Sequence, residues 1–485
     1  MMNLPIEFEK KMKAFLGNEW DDFLYSYDNN RFQALSFNTL KVQSPEERMR
    51  ILNTVIDGFE KGTVKDGDTV EIEGMIHRIR AMKSFAFFVL RTQRNLVQCV
   101  YEPSDSDKPI ADFKEEDSVR LTGTIKKDDR SALGFEIHIN SIEVLSSPAE
   151  NMPIVINKKK LDCNVDIKLD YRPLSLRNPR ERAALKIVDG IINAFRSFMH
   201  GEGFTEFVPP KIVSAGAEGG ADMFEVDYFG EKALLNQSPQ MYKQMMVGVF
   251  KKVYTVAPVF RAEKHSTSRH INEFEGLDFE MGFIDSFEDI MAVEARFMKY
   301  MFDYLKTNYS PELKELGVEL PEIPDIPQFK FMEIKEIIAE KYNREFRNPN
   351  DLEPEEERLI GEYVMETYGS PLVFVTHYPS KKRPFYAMDD PENPKYTLSF
   401  DLLLNGAEVT TGGQRIHDYQ MQLDKIKSRG MNPEEFSDFL MMHKYGMPPH
   451  GGLGIGLERL AMKLLGVDNI RTVTAFPRDI GRINP

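Results

Sequence analysis

Apolar and polar residues follow four successive patterns along the chain. In residues 1–65 the apolar positions recur at helical spacing, as in FEKKMKAFL, which predicts an amphipathic helical extension. Residues 66–147 contain five short β-rich runs separated by turn residues, such as DSVRLTGTIKK. The stretch 148–165, which contains two prolines and three lysines, is typical of a linker. From 166 to 485, amphipathic helices alternate with strand-like runs, which predicts a larger mixed domain.

The five β-rich runs suggest the fold of the first domain. Five strands within about 80 residues suit a small closed barrel, and the OB-fold is the obvious candidate. The later region shows no internal repeat. Its residues 306–360 are rich in Glu, Pro and Lys and carry no recognisable chemistry, so we expect them to form a peripheral insertion.

Composition narrows the class of protein. The chain has 485 residues, of which 41% are hydrophobic and 29% charged, as in ordinary globular proteins. No run approaches the roughly 20 apolar residues of a membrane span, and the start is too charged for a signal peptide. Two cysteines, Cys99 and Cys163, do not form a disulfide framework, which favours the cytoplasm. The net charge of −15 argues against nucleic-acid binding by the chain as a whole, but a local basic face remains compatible with it.

A charged loop lies between two strand-like segments, KKVYTVAPVFRAE and EGLDFEMGF. This order predicts an antiparallel hairpin with an enlarged tip. Asp278 and Glu280 are two residues apart and therefore share one face of the sheet. With Arg261 and Glu263 on the same face, the hairpin can hold a ligand that carries both phosphate and ammonium groups. A solvated hairpin with cross-strand ion pairs explains the same residues equally well.

A glycine-rich run, GGLGIGLERL, precedes an amphipathic helix that begins with Glu458 and Arg459. Its spacing differs from that of the dinucleotide-binding fingerprint. Glycines allow a flat ligand to approach the backbone closely, and Arg459 can then reach an anionic or aromatic part of that ligand. Taken alone, this run is weak support for a ligand site.

Together the hairpin and the glycine-rich run resemble motifs 2 and 3 of the class II aminoacyl-tRNA synthetases. Motif 1 is similar to the long helix followed by GFTEFVPPKIV, with Pro210 in the place of the motif proline. A barrel before the catalytic part marks the subgroup for Asp, Asn and Lys. Within it, AEGGADMF, NQSPQMYKQMM, FDLLLNGAEVTTGGQRIH and AFPRD resemble the aspartyl-tRNA synthetases of the archaeal and eukaryotic type.

The resemblance implies a fold and a reaction. The fold is α+β: a class II antiparallel sheet flanked by helices at 166–485, preceded by an all-β OB-fold barrel that binds the anticodon. The reaction is that of an aspartate–tRNA ligase, which activates L-aspartate with ATP to aspartyl-adenylate and transfers it to the 3′ end of tRNA-Asp. Mg²⁺ and a homodimer built on motif 1 are also implied.

The resemblance further implies roles for individual residues. Aspartate is expected to contact polar and charged side chains: Glu218, Ser238, Gln240, Lys243, Asp278 and Arg415. ATP is expected to contact a second set: Arg261, Glu263, His270, Phe274, Glu408 and Arg459. Of these, Arg261 and Arg459 are the expected catalytic residues. Glu408 and Thr411 are the expected magnesium ligands, although serine is usual where Thr411 stands.

Lys243 and Arg415 are expected to decide the amino acid. Asparaginyl enzymes usually lack the lysine, and a side-chain carboxylate needs cationic partners that a neutral amide does not. Two unpaired cations would reject asparagine, because a buried unpaired charge is costly. An asparagine–tRNA ligase and a non-catalytic tRNA-binding paralogue remain alternatives. The paralogue is disfavoured because Arg261, Arg459 and Glu408 are all present, and a ligase acting without tRNA would be expected to lack the barrel.

The barrel carries the spacing with which the family grips the anticodon, an arginine, a phenylalanine seven residues later and a glutamine eleven beyond it. Arg80, Phe87 and Gln98 have this spacing, and aromatic stacking with hydrogen bonds at base edges is how single-stranded bases are read. The alternative is that Phe87 belongs to the barrel core. Met75 stands where the family usually has tryptophan, in a region that influences the third anticodon base, so the use of tRNA-Asn as a second substrate stays open.

Overall fold

The computed structural model describes residues 65–93, 95–103, 108–214, 216, 223–264, 267–345 and 347–484. The helical extension predicted for residues 1–65 lies outside them, apart from Lys65. The chain divides into two compact units, Met1–Asn157 and Lys158–Pro485. A search of the described helices finds none that is both long and apolar enough to cross a membrane.

The first unit contains a closed five-stranded barrel. Its strands are β1 (Thr69–Ala81), β2 (Ala86–Arg91), β3 (Leu96–Tyr101), β4 (Ser118–Lys127) and β5 (Phe135–Ser146), joined in the order β1-β2-β3-β5-β4. Alternate residues of β2 point inward: Ala86, Phe88 and Leu90 are fully buried, whereas Phe87 and Val89 between them are only half-buried. This period of two closes an apolar core inside the barrel and confirms the predicted OB-fold.

The second unit mixes helices and strands. Its helices are α1 (Val165–Asp170), α2 (Arg172–Ser175), α3 (Pro179–Gly201), α4 (Gln240–Phe250), α5 (Glu288–Asn308), α6 (Ser310–Leu316), α7 (Phe331–Tyr342), α8 (Pro354–Tyr368), α9 (Tyr419–Ser428), α10 (Ser437–Lys444) and α11 (Leu457–Leu464). Its strands are β6 (Thr205–Glu206), β7 (Ile212–Val213), β8 (Glu225–Tyr228), β9 (Glu231–Leu235), β10 (Lys252–Phe260), β11 (Glu273–Gly282), β12 (Gln328–Lys330), β13 (Leu372–Thr376), β14 (Ser399–Leu404), β15 (Glu408–Gln414) and β16 (His450–Gly456).

An eight-stranded sheet forms the centre of this unit, in the order β12-β13-β14-β15-β16-β11-β10-β6. The six central strands are antiparallel, and only the two edge pairs, β12 with β13 and β10 with β6, are parallel. Helices α3 and α5 pack on the sheet through buried residues such as Ile187, Phe195 and Phe297. The predicted α+β class, an antiparallel sheet flanked by helices, is confirmed.

Helix α3 begins where its sequence predicts. Asn178 is the N-cap, and its side chain accepts hydrogen bonds from the backbone N–H groups of Arg180 and Glu181. Pro179 occupies the first helical position, where its missing N–H costs nothing. The apolar face of this amphipathic helix is then buried against α5 and the sheet.

The segment 306–360 is more than the peripheral insertion expected from its composition. It supplies the edge strand β12, the helix α7 and the first part of α8, which bury Phe331, Ile334 and Ile360 against β13 and β14. The description "peripheral" fits only its place at the sheet edge. The sequence did not indicate these helices, because their few apolar residues are separated by charged residues on the solvent side.

Candidate active site

Strands β10 and β11 form the predicted hairpin. They pair from Lys252 opposite Met281 to Phe260 opposite Glu273, and Arg261 follows directly with its N–H on the carbonyl of Asn272 (2.9 Å). The alternative of a solvated hairpin is wrong, because Asp278 is 5% exposed and Glu280 is fully buried. Their carboxylates lie on a covered face of the sheet.

The glycine-rich strand β16 covers these two carboxylates. Gly454 lies opposite Asp278 in the β11–β16 ladder, and Gly452 lies opposite Glu280. A Cβ atom at Gly452 would lie 2.2 Å from Glu280 Oε2, and one at Gly454 would lie 2.9 Å from Asp278 Oδ2. The sequence assigned these glycines to the approach of a flat ligand. Gly452 and Gly454 instead make room for the carboxylates of Glu280 and Asp278. Gly456 lines the cavity and has no carboxylate against it.

A cavity of about 480 Å³ opens above this face of the sheet. Twelve of the residues predicted for the aspartate, ATP and magnesium sites line it: Ser238, Gln240, Lys243, Arg261, Glu263, His270, Phe274, Asp278, Glu408, Thr411, Arg415 and Arg459. The thirteenth, Glu218, lies outside the described residues. The start of α4, the β10–β11 hairpin, β15 with the residue that follows it, and α11 therefore meet around one space.

Two cations lie at one end of the cavity, and both are already paired. Lys243 Nζ is 2.7 Å from Asp278 Oδ2 and 2.9 Å from the carbonyl of Leu453. Arg415 Nε donates to Glu280 Oε1 at 2.8 Å, and its Nη2 reaches the carbonyl of Gly452 at 2.8 Å. The expectation of two unpaired cations is therefore wrong. Sequence reasoning had noted Glu280 on the hairpin but had not included it in the site.

Glu280 holds this cluster together. Burial alone would raise its pKa, but Arg415 and then Lys243 outweigh that effect, so the pKa of Glu280 lies below its usual value. The carboxylate is charged and balances part of the two cations. The site is therefore a buried, nearly neutral network, in which Lys243 retains a third N–H beyond the two hydrogen bonds to Asp278 and Leu453.

The other end of the cavity carries the nucleotide-type residues. The guanidinium of Arg261 lies 5.3 Å from the centre of the Phe274 ring. Asn272 fixes the chain between them, since its side-chain amide donates to the carbonyls of Arg261 (2.7 Å) and Glu263 (3.0 Å). His270 Nε2 is 3.9 Å from Glu263 Oε2. A cation, an aromatic ring and polar groups thus surround a space suited to a nucleotide.

Glu408 and Thr411 lie together on β15. Thr411 Oγ1 donates to Glu408 Oε1 (3.3 Å), and Arg459 Nη1 is 3.4 Å from the same oxygen. Among the described residues, no group of three or more His, Cys, Asp or Glu side chains could hold a metal ion. One carboxylate and one hydroxyl are hard oxygen donors, as Mg²⁺ requires, and such sites usually take their remaining ligands from phosphates and water.

Sequence reasoning missed several charged residues around this end. Arg383 lines the cavity and pairs with the buried Asp401 (2.7 Å), and burial raises the pKa of Asp401 to about 6 although Arg383 opposes it. Glu357 of α8 accepts from the N–H of Glu408 (3.4 Å), and burial followed by the Glu408 charge raises its pKa to about 7. Burial also raises the pKa of Glu458, which binds the N–H of Glu275, to about 8. Nothing in the local sequence indicated that Arg383, Asp401 and Glu357 belong to this site.

The three predicted anticodon residues lie on the outer face of the barrel. Arg80 is exposed and stands opposite Phe87 in the β1–β2 ladder, while Gln98 stands opposite Val89 on the next strand. Phe87 is half-buried and packs edge-on against Phe85, with 5.2 Å between the ring centres. Phe87 is therefore not part of the barrel core, to which the next residue, Phe88, belongs.

Two further polar side chains adjoin these three residues and were missed by the sequence reasoning. Gln98 Nε2 donates to Glu136 Oε2 at 3.0 Å, and Glu136 Oε1 is 2.9 Å from His138 Nε2. Both residues lie on β5, which pairs in parallel with β3. Their contribution depends on that long-range pairing, which the sequence spacing of a single hairpin does not predict.

Comparisons with known proteins agree with this arrangement. A family model of class II tRNA synthetases (D, K and N) matches residues 164–480, and one of the OB-fold nucleic acid binding domain matches residues 70–145. The aspartate–tRNA(Asp/Asn) ligase of Deinococcus radiodurans is 45% identical over 426 residues, which are 87% of this chain and 96% of that protein. The aspartate–tRNA(Asp) ligase of Pyrococcus abyssi is 37% identical over 427 residues, covering 87% of this chain and 97% of that protein.

A solved structure has the same fold. The asparaginyl-tRNA synthetase from Pyrococcus horikoshii, complexed with asparaginyl-adenylate, superimposes with a TM-score of 0.80 at 31% identity, covering 87% of this chain and 97% of that one. The family match spans well over half of the sequence and includes all three stretches on which the resemblance rests. The chain therefore belongs to the class II tRNA synthetases of the aspartate, lysine and asparagine group.

Proposed function

We propose that the protein is an aspartate–tRNA ligase: it activates L-aspartate with ATP and transfers the aspartyl group to the 3′ end of tRNA-Asp. The observation that carries this proposal is the cation pair, Lys243 and Arg415, at one end of the cavity. Relatives that are 37–45% identical and named as aspartate–tRNA ligases support it. Because an asparaginyl-tRNA synthetase has a similar fold, the fold alone does not distinguish aspartate from asparagine as the substrate.

The cluster favours aspartate because of its hydrogen-bond donors. Lys243 and Arg415 carry only donors, so a side-chain carboxylate can accept from both. The carboxamide of asparagine has one oxygen and one NH₂ group, and the NH₂ would face a donor of one cation or the other. A polar contact of this kind discriminates strongly in a buried site, since the mismatched groups lose their water without gaining a partner.

The remaining groups near the cations suit the α-amino end of the substrate. Asp278 is a carboxylate beside the cavity, and Ser238 and Gln240 at the start of α4 line the same wall. We propose that these three hold the α-ammonium group. Glu218 remains a proposed contact of the bound amino acid.

The first chemical step joins the α-carboxylate of aspartate to the α-phosphorus of ATP, and the bond to pyrophosphate breaks. Negative charge grows on the phosphate oxygens as this happens, so fixed cations stabilise the transition state. We propose that Arg261 contacts the α-phosphate and the substrate carboxylate, and that Arg459 and His270 contact the outer phosphates. Phe274 would stack on adenine and Glu263 would bind its edge.

Glu408 and Thr411 would hold Mg²⁺, and their oxygen donors fit that ion. Bound there, the ion would neutralise charge on the phosphates. Glu408 accepts from Thr411 and lies near Arg459, so the protein itself orients the carboxylate towards the phosphate end of the cavity. The hydroxyl of threonine serves as well as that of serine for this purpose.

We further propose that the barrel binds the anticodon through Arg80, Phe87 and Gln98. Phe87 presents a half-buried ring on which a base can stack, and Gln98 presents an amide beside it. A second candidate activity is the charging of tRNA-Asn, which differs from tRNA-Asp at the third anticodon base. The Deinococcus relative, an aspartate–tRNA(Asp/Asn) ligase, favours this activity, and Met75 in β1 leaves it open.

We propose that the enzyme acts as a cytoplasmic homodimer. Val208, in the extended segment that follows α3, is an apolar side chain that is 90% exposed, and a second copy of the chain would cover it. Both cysteines are free, as expected for a reducing compartment. Light scattering of the wild-type protein and of Val208→Glu tests the dimer; a wild-type monomer would refute it.

Amino-acid-dependent exchange of pyrophosphate into ATP tests the main proposal. With each of the twenty amino acids supplied in turn, aspartate should support exchange at least about a hundredfold more efficiently than asparagine. Exchange that is faster with asparagine would overturn the assignment. Charging of tRNA-Asp and tRNA-Asn transcripts then separates the two proposed tRNA specificities.

A further inference from the structure

The last described part of the chain runs along the loop that joins β10 to β11. We call residues 261–272 the nucleotide loop, of which 265 and 266 are not described, and residues 469–479 the C-terminal brace. Ile470 N–H donates to the carbonyl of Ser268 at 2.9 Å, and Asn272 N–H donates to the carbonyl of Arg478 at 2.7 Å. The brace therefore forms backbone hydrogen bonds with the loop at two residues, Ser268 and Asn272, that are four positions apart.

Arg471 adds a third contact through its side chain. Its Nη1 donates to the carbonyl of Thr267 at 2.9 Å, and its Nε donates to Asp479 Oδ2 at 2.5 Å. Arg471 is buried, with 8% of its surface exposed. A buried guanidinium that bridges a carboxylate and a carbonyl holds both in a fixed geometry, because its planar fork loses little entropy on binding.

The brace is itself attached to the body of the catalytic unit. Arg172 of α2, which is 1% exposed, donates to the carbonyls of Thr474 (2.5 Å) and Ala475 (2.9 Å). Residues Ile470–Val473 form a short 3₁₀ turn that packs against α3 and α11. Through the brace, the loop is therefore tied to the buried body of the catalytic unit.

The described part of the nucleotide loop is held by contacts within the loop and by Ile271, which is buried in the hydrophobic core. Asn272 ties the loop's base to Arg261 and Glu263, and Thr267 Oγ1 lies 2.6 Å from His270 Nδ1. Three of the loop's cavity-lining side chains belong to Glu263, Arg269 and His270. The brace holds the carbonyls of Thr267 and Ser268, which directly precede Arg269 and His270, and so contributes to fixing these two side chains.

We propose that the C-terminal brace positions the nucleotide loop for ATP, and that Arg471 is a positioning residue for adenylate formation. The inference deepens the proposed ATP site and rests on it. Arg471 acts through the carbonyl of Thr267 and the side chains beyond it, without touching ATP itself. Its loss should therefore weaken ATP use and leave aspartate use almost unchanged, because the cation pair for aspartate lies at the opposite end of the cavity.

Four variants test the proposal. Arg471→Ala removes both side-chain contacts, and Arg471→Lys can restore only one of them. Asp479→Asn keeps the shape of the chain but removes the charge that holds Arg471. Arg482→Ala is the matched control: it lies just beyond the brace and loses an ion pair to Asp170 (2.7 Å) without touching the loop.

The measurements are the KM values for ATP and for aspartate in pyrophosphate exchange, and the affinity for ATP alone by calorimetry. We expect KM for ATP to rise about tenfold or more in R471A, about threefold to tenfold in D479N and R471K, and less than twofold in R482A, with KM for aspartate within twofold throughout. The calorimetric Kd for ATP should rise in the same order.

The proposal is overturned if R471A and D479N change ATP use no more than R482A does, or if the two KM values rise together. If R471A fails to fold, the milder D479N decides by the same criteria. Calorimetry needs no amino acid, so a wild-type enzyme that activates an amino acid other than aspartate would refute the proposed function and leave the test of the brace intact.

Discussion

Replacing Lys243 by methionine should strongly reduce the use of aspartate without harming the ATP site. The ammonium lies 2.7 Å from Asp278 and 3.6 Å from Glu280, and with Arg415 it balances these two carboxylates. Methionine has a similar length but no charge, so the cluster becomes net negative at the point where the substrate carboxylate would bind. Aspartate then loses one charge-assisted hydrogen bond and meets repulsion as well.

The expected loss can be estimated from these contacts. A hydrogen bond to a charged group contributes about 1.5–3 kcal/mol, and the added repulsion places the expectation at the upper end. About 3 kcal/mol corresponds to roughly a 150-fold fall in kcat/KM for aspartate. Breaking a buried ion pair also costs roughly 3–5 kcal/mol of stability, so a control must separate misfolding from lost recognition.

Lys335→Met provides that control. Lys335 of α7 forms a buried ion pair with Glu356 (2.7 Å, side chains 2% and 1% exposed) that lies away from the cavity. Both variants should melt at lower temperature, but only K243M should show the roughly 150-fold fall in kcat/KM for aspartate in pyrophosphate exchange. KM for ATP should stay within twofold of wild type in each. An efficiency for aspartate in K243M within threefold of wild type would refute the role given to this residue.

Three further predictions address the sheet, the helices and the barrel. Gly452→Ala should destabilise the fold by about 1–3 kcal/mol and reduce aspartate activation, because the added Cβ would lie 2.1 Å from the carbonyl oxygen of Phe279. The control Gly201→Ala, where a Cβ meets open space, should do neither. Equal melting points for the two variants would contradict this prediction. Burial followed by the Asp401 charge raises the pKa of Glu294 to about 8, against about 4.3 unfolded, so its proton stabilises the fold at low pH and this contribution falls as pH rises. Glu294→Gln should therefore gain stability over wild type by roughly 1.4 kcal/mol per pH unit between pH 5 and 7.5 in urea unfolding, and a pH-independent difference would contradict the titration. Phe87→Ala should raise KM for tRNA about fivefold to 150-fold in charging assays and leave pyrophosphate exchange unchanged; an equal loss in both assays would exclude anticodon stacking.

Local sequence was enough to predict the elements that form the site. The hairpin of β10 and β11 joins segments separated by a short loop, so its existence and the shared face of Asp278 and Glu280 follow from strand spacing. The five barrel strands follow likewise from period-two alternation and turn residues. The resemblance then named twelve of the residues that surround the cavity, including those on β15 and α11, which spacing alone could not have brought together.

What the sequence could not supply was the partner of each charge. Glu280 accepts a hydrogen bond from Arg415, which lies 135 residues later in the chain. Arg415 also donates to the carbonyl of Gly452, which the β11–β16 pairing places opposite Glu280. The cations therefore appeared unpaired until the strand order was known. Arg383 was missed for the same reason, since its buried partner Asp401 lies 18 positions later, on β14. Charge patterns along a chain do not show which charges are buried together.

The most direct test of the aspartate site is a crystal structure of the enzyme with a non-hydrolysable aspartyl-adenylate analogue. The account predicts that the side-chain carboxylate of the ligand lies within about 3.2 Å of Lys243 Nζ and of the Arg415 guanidinium, while both cations keep their contacts to Asp278 and Glu280. A ligand whose carboxylate lies among neutral groups, with Lys243 and Arg415 directed elsewhere, would contradict it.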